Sequence, residues 1–240
     1  MIFNVLKTTL EEIQPLRKLF LSESSFQFIY DKCHGAGWAD TYVFTSGKEI
    51  VGYGSVWGKD QREDRNTIFE FYLLLSFRKF AHIIFPNFIT TSGALFIGCQ
   101  SNDLLLASML FEHAKKIHAE AILFEHSFQA EFYIPGILFK ENIDADGNSE
   151  YILEQNGNAV ASGGYVWNYN FPYIDMYYEV KEAYRQKGFG SLIIQELKKE
   201  AFRLKRIPSA RCNINNIASK RALLKAGMSV CGHILIGELG

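Results

Sequence analysis

A strand, a polar turn and the start of a helix follow one another in Tyr173-Ile-Asp-Met-Tyr-Tyr-Glu-Val-Lys-Glu-Ala-Tyr-Arg-Gln-Lys-Gly-Phe-Gly-Ser191. Apolar and aromatic residues run to Val180, and an amphipathic helical pattern begins at Gly190. Glycines at 188 and 190 remove side chains and permit positive φ where backbone approaches a ligand. Amides at a helix start lack intrahelical partners, and the helix dipole favours an anion there. The stretch therefore predicts a diphosphate-binding loop on an α/β or α+β sheet.

Other phosphate-binding motifs fit this stretch poorly. The chain contains no GxxxxGK[ST] motif, and the third glycine of a dinucleotide-binding GxGxxG pattern is Ile193 here. The pattern Arg185-x-x-Gly188-x-Gly190 is weak by itself, and a tight turn without a ligand is the alternative. The strand–turn–helix context favours the diphosphate.

A second motif follows one predicted helix and one predicted strand later. It is Asn213-Ile-Asn-Asn-Ile-Ala-Ser-Lys-Arg-Ala-Leu-Leu-Lys-Ala-Gly-Met228. Asn215 or Asn216 can cap a short helix that ends at Ala226, with Gly227 as the residue after its C-cap. The helix between the two motifs is predicted over residues 190–204, since its apolar residues recur at helical spacing.

Two segments of the chain echo each other at an offset of 110 residues. They are Gly47-Lys-Glu-Ile-Val-Gly-Tyr-Gly-Ser-Val-Trp57 and Gly157-Asn-Ala-Val-Ala-Ser-Gly-Gly-Tyr-Val-Trp167. The pairs are Gly47 with Gly157, Ile50 with Val160, Gly54 with Gly164, Val56 with Val166, and Trp57 with Trp167. Each segment follows a strand-like run and a glycine turn, which is typical of a hairpin. We infer a duplication that divides the chain into residues 1–118 and 119–240.

Taken together, the two motifs of the second half resemble those of the GNAT family of acetyl-CoA-dependent N-acetyltransferases, over residues from about 125 to 240. Met228 stands where that family usually has Phe. The resemblance implies an α+β fold of two GNAT-like units, each a mixed, mostly antiparallel sheet flanked by helices. The first unit is degenerate, because Phe77-Arg-Lys-Phe-Ala-His82 occupies the loop region without a glycine pair. We therefore expect acetyl-CoA to bind in the second unit only.

The resemblance also implies the cofactor-binding residues. Backbone near Tyr178 and Val180 would pair with the pantetheine arm, and an N–H there would stabilise the oxyanion of the thioester. Asn216 would lie near the thiol. The expected contacts are Tyr178, Val180, Arg185, Gln186, Lys187, Gly188, Phe189, Gly190, Ser191, Asn216 and Ser219.

Catalysis needs a general base, because an amine arrives as an ammonium ion. Asp175, Tyr177 and Glu179 share one face of the predicted strand, and Glu179 is the preferred base because it is nearer the thioester. The alternative is that both carboxylates are ordinary strand-face residues.

Many family members carry a Tyr that protonates the leaving thiolate, and Leu223 occupies its position. Water or another side chain, of which Tyr177 is a candidate, would then supply the proton, or the thiolate would leave unassisted. Trp167, Tyr165 and Tyr177 are candidates for lining an acceptor pocket or for the core.

Composition excludes several other functions. The net charge of −1 provides no basic field for nucleic acid. The four cysteines have no CxxC spacing, and no histidines sit at metal-ligand spacing beside them, so we expect no metal. The longest apolar stretch, 80–97, is interrupted by polar residues, so we expect no membrane association and a cytoplasmic location.

The expected reaction is transfer of an acetyl group to a primary amine of a small molecule or peptide, by direct attack in a ternary complex. The alternatives are a non-catalytic acyl-CoA-binding module and transfer of a longer acyl group. The oligomeric state is left open between monomer and homodimer.

Overall fold

The computed structural model of the protein describes residues 2–27, 29–143, 149–167 and 169–240. The helices are α1 (Leu10–Ser22), α2 (Tyr30–Gly35), α3 (Ala81–Ser92), α4 (Leu104–His113), α5 (Phe189–Arg203) and α6 (Ile217–Lys225). The strands are β1 (Phe3–Thr8), β2 (Ala39–Ser46), β3 (Glu49–Trp57), β4 (Thr67–Leu73), β5 (Phe96–Gln100), β6 (Ala114–His126), β7 (Ile137–Ile143), β8 (Ser149–Gln155), β9 (Asn158–Val166), β10 (Tyr173–Val180), β11 (Ile207–Asn213) and β12 (Met228–Leu239). Two short 3₁₀ helices span Leu75–Phe80 and Glu182–Tyr184.

The chain separates into two compact units. Unit 1 comprises Met1–Glu120 and Gly232–Gly240, and unit 2 comprises Ala121–Cys231. The sequence predicted a boundary between residues 118 and 119 and assigned residues 232–240 to the second half. That assignment was wrong, because Ile234–Glu238 form an antiparallel pair with Phe96–Gln100 and so complete the sheet of unit 1.

Each unit has the predicted mixed, mostly antiparallel sheet. In unit 1 the strands follow the order β1-β2-β3-β4-β5 and then the end of β12, and β4 pairs with β5 in parallel. In unit 2 the order is β6-β11-β10-β9-β8-β7, and β10 pairs with β11 in parallel. The other pairings within each unit are antiparallel. Helices flank both sheets, which confirms the predicted fold class.

Helix α5 packs against the sheet of unit 2 through the predicted apolar stripe. Ile193, Leu197 and Ala201 are fully buried, and the first two lie in a core that also contains Met176 and Val160. The burial of these side chains is the main reason why a helix of this length is stable here. Helix α4 is followed directly by a strand, because it ends at His113 and β6 begins at the next residue.

The two hairpins share a bulge, and the bulge defines their correspondence. In β2–β3, Phe44 pairs with Gly52 and Thr45 with Ile50, which leaves Val51 as the extra residue. In β8–β9 the extra residue is Val160. Both are buried, and each lies three residues after the hairpin loop. The shared bulge supports the duplication, and it gives a structural offset of 109.

The predicted offset of 110 is therefore wrong by one residue within the hairpins. A one-residue slip in a strand moves every side chain to the other face. A Cβ on Gly54 would meet Phe88 of α3, and one on Gly163 would meet Leu197 of α5. Gly54 thus corresponds to Gly163, not to Gly164. By the same offset, Trp57 corresponds to Val166.

Candidate functional site

Strands β10 and β11 open a gap in the sheet of unit 2. They pair in parallel only at Tyr173–Ile207, Ile174–Pro208 and Asp175–Ser209. Beyond Asp175, β10 remains paired with β9 as far as Val180, so only its β11 side is open. The gap therefore widens toward the end of β10 that precedes the glycine loop.

The backbone groups that face this gap can be assigned from two hydrogen bonds. The amide of Lys181 donates to the Val160 oxygen on β9 (3.1 Å), and the Pro172 oxygen accepts from Ile207 on β11 (2.9 Å). Successive residues of a strand direct their N–H and C=O groups to opposite sides. The backbone N–H and C=O groups of the even-numbered residues of β10 therefore point away from β9. Tyr178 and Val180 thus present their backbone to the gap, as the pantetheine prediction requires.

The N-terminus of α5 lies beside the same end of β10. Its N-cap, Gly188, has φ +89°, which is costly for any residue with a Cβ. No side chain of the described residues caps this end. The first-turn amides of Phe189, Gly190 and Ser191 therefore remain available to an anion, with the helix dipole behind them.

Gly190 leaves space at the point where three elements meet. A Cβ there would lie 3.4 Å from the ring of Tyr178, 3.5 Å from Ala222 on α6 and 3.6 Å from Val180. These are ordinary contacts, so the protein alone would tolerate a side chain. Its absence widens the floor of the cleft between β10 and α6.

Helix α6 borders the other side of the gap. The side-chain oxygen of Asn216 accepts from the amide of Ser219 at 3.0 Å, which confirms Asn216 as the N-cap. The hydroxyl of Ser219 lies 3.0 Å from that of Tyr178. This contact joins the first turn of α6 to β10, and burial raises the pKa of Tyr178.

These elements enclose a cleft of about 980 Å³ within unit 2. Ten of the eleven predicted cofactor-binding residues line it: Tyr178, Val180, Arg185, Gln186, Gly188, Phe189, Gly190, Ser191, Asn216 and Ser219. Lys187 does not line the cleft. Its ammonium donates to the Ala183 oxygen at 3.0 Å and lies 5.3 Å from the centre of the Tyr184 ring.

Sequence reasoning missed further lining residues, which are Tyr184, Ile217, Ala218, Arg221, Ala222 and Lys225. Five of them form two rows on α6 at i, i+4 spacing, so a helical projection from Asn216 could have found them.

The charged residues that line the cleft are three cations, Arg185, Arg221 and Lys225, and one carboxylate, Glu179. The cleft is therefore cationic and suits a ligand that carries several phosphates.

The predicted catalytic residues separate in the structure. Glu179 lines the cleft. Asp175 lies about 13 Å away along the strand, where β10 and β11 still pair. It is 7% exposed and forms an ion pair with Arg211 at 3.8 Å. Burial raises the pKa of Asp175 to about 6, although the charge of Arg211 opposes this. Only Glu179 of the two carboxylates is placed to act on a ligand in the cleft.

Tyr177 also lies outside the cleft. Its ring covers Gly164, since a Cβ on that glycine would come within 2.8 Å of the Tyr177 hydroxyl. Tyr165 donates to the Leu197 oxygen at 2.6 Å and packs against the core. Trp167 directly follows Val166, the last residue of β9. Leu223 is 1% exposed in the core of unit 2. None of these four side chains lines the cleft.

The residues present fit the expected ligand, coenzyme A. Unpaired amides and three cations suit its phosphates, and the open backbone of β10 suits its amide-containing arm. The described residues include no group of three or more His, Cys, Asp or Glu side chains that could hold a metal ion. No helix within the described ranges is long and apolar enough to span a membrane.

Comparison with known proteins agrees with this geometry. The profile of the Acetyltransferase (GNAT) family matches residues 109–228. A solved acetyltransferase from the GNAT family from Colwellia psychrerythraea has a TM-score of 0.74 at 14% identity, with 100% of both chains covered. A tandem GNAT protein from the clavulanic acid biosynthesis pathway, solved without AcCoA, has a TM-score of 0.62 at 11% identity, with 100% of this chain and 99% of that chain covered.

A third solved structure, a GCN5-related N-acetyltransferase from Sphaerobacter thermophilus, has a TM-score of 0.56 at 11% identity and covers 82% of this chain and 80% of its own. At these identities the likeness establishes the fold. No curated protein sequence matches the chain. Because the family profile spans half of the sequence and its motifs form the cleft, the chain belongs to the GNAT family and is an acyl-CoA-dependent acyltransferase.

Proposed function

We propose that this protein transfers an acetyl group from acetyl-CoA to a primary amine of a small molecule or peptide, by direct attack in a ternary complex. The observation that carries the proposal is the meeting of the α5 N-terminus, the open side of β10 and the start of α6 in one cleft. The proposal keeps the cytoplasmic location that the sequence suggested.

The phosphates would bind at the start of α5. The amides of Phe189, Gly190 and Ser191 are the donors for the diphosphate, and Arg185 lies next to them. The Nε of Arg185 donates to the Val180 oxygen at 3.2 Å, which holds the guanidinium over the end of β10. Arg221 and Lys225 add charge from α6.

The thioester would lie in the gap between β10 and β11. The amide of Tyr178 faces this gap and can donate to the thioester oxygen, where negative charge develops as the amine attacks. A fixed backbone donor contributes more in such a partly buried site than in water, because it needs no reorganisation.

Glu179 is the proposed general base. Its side chain leaves β10 on the face opposite α5, next to the Tyr178 amide, so an amine reaching the thioester from that face passes the carboxylate. Glu179 would accept the proton of the ammonium, directly or through water. Attack and leaving-group departure would then occur on opposite faces of the sheet.

Unit 1 is not expected to bind coenzyme A. The N-cap of α3 is Phe80 at φ −103°, where unit 2 has a glycine. The segment between α1 and α2 also occupies the end of β5, since Asn102 donates to the Ser25 oxygen and Gln100 accepts from the Gln27 amide. We therefore expect one coenzyme A per chain.

Calorimetric titration tests the proposal with acetyl-CoA, longer acyl-CoA thioesters and NAD. We expect acetyl-CoA to bind at one site per chain and NAD not to bind. Amine-dependent release of free thiol from acetyl-CoA, across a panel of small amines and peptide N-termini, then identifies the acceptor. Tighter binding and faster turnover of a longer acyl-CoA would show that this acyl group, and not acetyl, is the one transferred. Binding of NAD alone would refute the proposal.

A further inference from the structure

Cleavage of a thioester leaves a thiolate that must gain a proton. In this unit the side chain at 223 cannot supply it, because Leu223 has no proton to donate and is buried in the core. Tyr177 lies over Gly164 and outside the cleft. The hydroxyl groups that line the cleft are further candidates for the donor.

Tyr178, Tyr184, Ser191 and Ser219 carry the hydroxyl groups of the cleft lining, and only Tyr178 of these four belongs to β10. Its backbone faces the opening between β10 and β11, and its side chain lies on the α5 side of the sheet, packed with the core of unit 2. The ring contacts the position of a Cβ on Gly190 at 3.4 Å, and the hydroxyl contacts Ser219 at 3.0 Å. The phenol thus spans the floor of the cleft from the start of α5 to the start of α6.

The contact between Tyr178 and Ser219 places the phenol close to the position of Leu223 on α6. Ser219 and Leu223 are four residues apart and lie on the same side of the helix, one turn from each other. The Tyr178 hydroxyl is therefore a proton donor that lies beside the face of α6 that carries Ser219 and Leu223. Leu223 itself has no proton to donate. Cys212 on β11 also acts on this phenol electrostatically, and burial raises the pKa of both groups above their usual values of 9 and 10, so both stay protonated at neutral pH.

We propose that Tyr178 is the general acid of the reaction and that Ser219 orients its hydroxyl and relays protons to it. The neutral amine nitrogen forms a bond to the thioester carbon and then loses a proton to water. The carbon–sulfur bond breaks, and the electron pair of that bond stays on sulfur. The Tyr178 proton moves to the sulfur. The phenolate takes a proton from Ser219, which takes one from water, and the proton lost by the nitrogen neutralises the hydroxide that is left. This inference rests on coenzyme A binding in the cleft.

The test does not require the acceptor amine. Calorimetry compares the affinities of coenzyme A and desulfo-coenzyme A, in which hydrogen replaces the thiol, for the wild-type protein, Tyr178→Phe and Tyr177→Phe. A hydrogen bond from Tyr178 to sulfur predicts that the wild type binds coenzyme A several-fold more tightly, on the order of 5- to 10-fold for one net hydrogen bond. Tyr178→Phe should bind both compounds equally, whereas Tyr177→Phe should keep the difference.

A second readout separates this role from a structural one. The ultraviolet absorbance of the bound thiolate, followed against pH, should show a higher thiol pKa in Tyr178→Phe than in the wild type. Desulfo-coenzyme A should bind Tyr178→Phe within about threefold of the wild type if the cleft is intact. An unchanged preference and an unchanged thiol pKa in Tyr178→Phe would overturn the inference while leaving the cleft as the coenzyme A site. Failure of the wild type to bind either compound would overturn both.

Discussion

The ammonium of Lys198 lies 3.0 Å from the main-chain oxygen of Gly227, the residue that follows the C-cap of α6. It also donates to the oxygens of Ala226 and Phe128, both at 2.7 Å. Gly227 has φ +79°, and a Cβ there would lie 2.2 Å from the Phe128 oxygen. One fully buried lysine on α5 thus holds the end of α6 and the segment after β6 in place.

Replacing Lys198 by Met should destabilise the protein by about 2–4 kcal/mol, because three carbonyl groups, two of them in buried hydrogen bonds, lose a charged donor. Urea denaturation followed by circular dichroism measures this change. Lys199→Met is the matched control, since Lys199 forms an exposed pair with Glu196 at 2.7 Å. It should change stability by less than about 0.5 kcal/mol. Equal effects of the two variants would contradict the role of Lys198.

Gly188 and Gly190 should respond differently to alanine. Gly188→Ala forces a Cβ onto a left-handed backbone, so it should destabilise the protein by about 1–2 kcal/mol. Gly190→Ala meets only ordinary contacts and should keep stability nearly unchanged, but its methyl group would occupy the cleft floor. We expect its affinity for acetyl-CoA to fall about tenfold or more. Calorimetry and thermal unfolding distinguish the two, and full affinity in Gly190→Ala would argue against the proposed ligand position.

Glu179→Gln should lower kcat by about 10²- to 10³-fold, because the amide cannot accept the ammonium proton. Its affinity for acetyl-CoA should stay within about threefold. Asp175→Asn should retain kcat within about threefold, since Asp175 lies outside the cleft. Thiol-release kinetics with the identified amine measure both variants. A larger loss in Asp175→Asn than in Glu179→Gln would reverse the assignment.

The stability of the protein should depend on pH through Asp175. Burial raises its pKa to about 6 in the folded protein, from 3.8. Between these values the folded state binds more protons than the unfolded state, so the free energy of unfolding falls as the pH rises through this window. The loss should reach about 1–3 kcal/mol relative to Asp175→Asn. Urea denaturation of both proteins from pH 4 to 7 measures it, and parallel curves would refute the shift.

Removal of residues 232–240 should weaken unit 1 rather than the cleft of unit 2. Ile234 and Ile236 are buried, and their strand covers the edge of β5. Hydrogen exchange with mass spectrometry should show faster exchange in β4 and β5, whereas α5 and α6 should retain their protection. Faster exchange confined to unit 2 would contradict the assignment of this strand.

The features of the cleft that depend on residues close together in the chain were predictable from the sequence. Glycines at 188 and 190 and the Asn216 cap act through backbone geometry within one turn, so their residue types indicate their structure directly. The apolar stripe of α5 follows from helical period alone. For the same reason the sequence located ten of the eleven cofactor-binding candidates in the cleft, and only Lys187, whose direction depends on the 3₁₀ turn, fell outside it.

The sequence by itself thus determined the family, the two units and the loop at the start of α5. Tertiary structure decided which carboxylate reaches the cleft, since Asp175 and Glu179 share a strand face and differ only in where β11 diverges. It also decided the one-residue offset of the hairpins and the placement of residues 232–240. Bulges and strand pairing join residues that are far apart in the chain, so no local pattern encodes them.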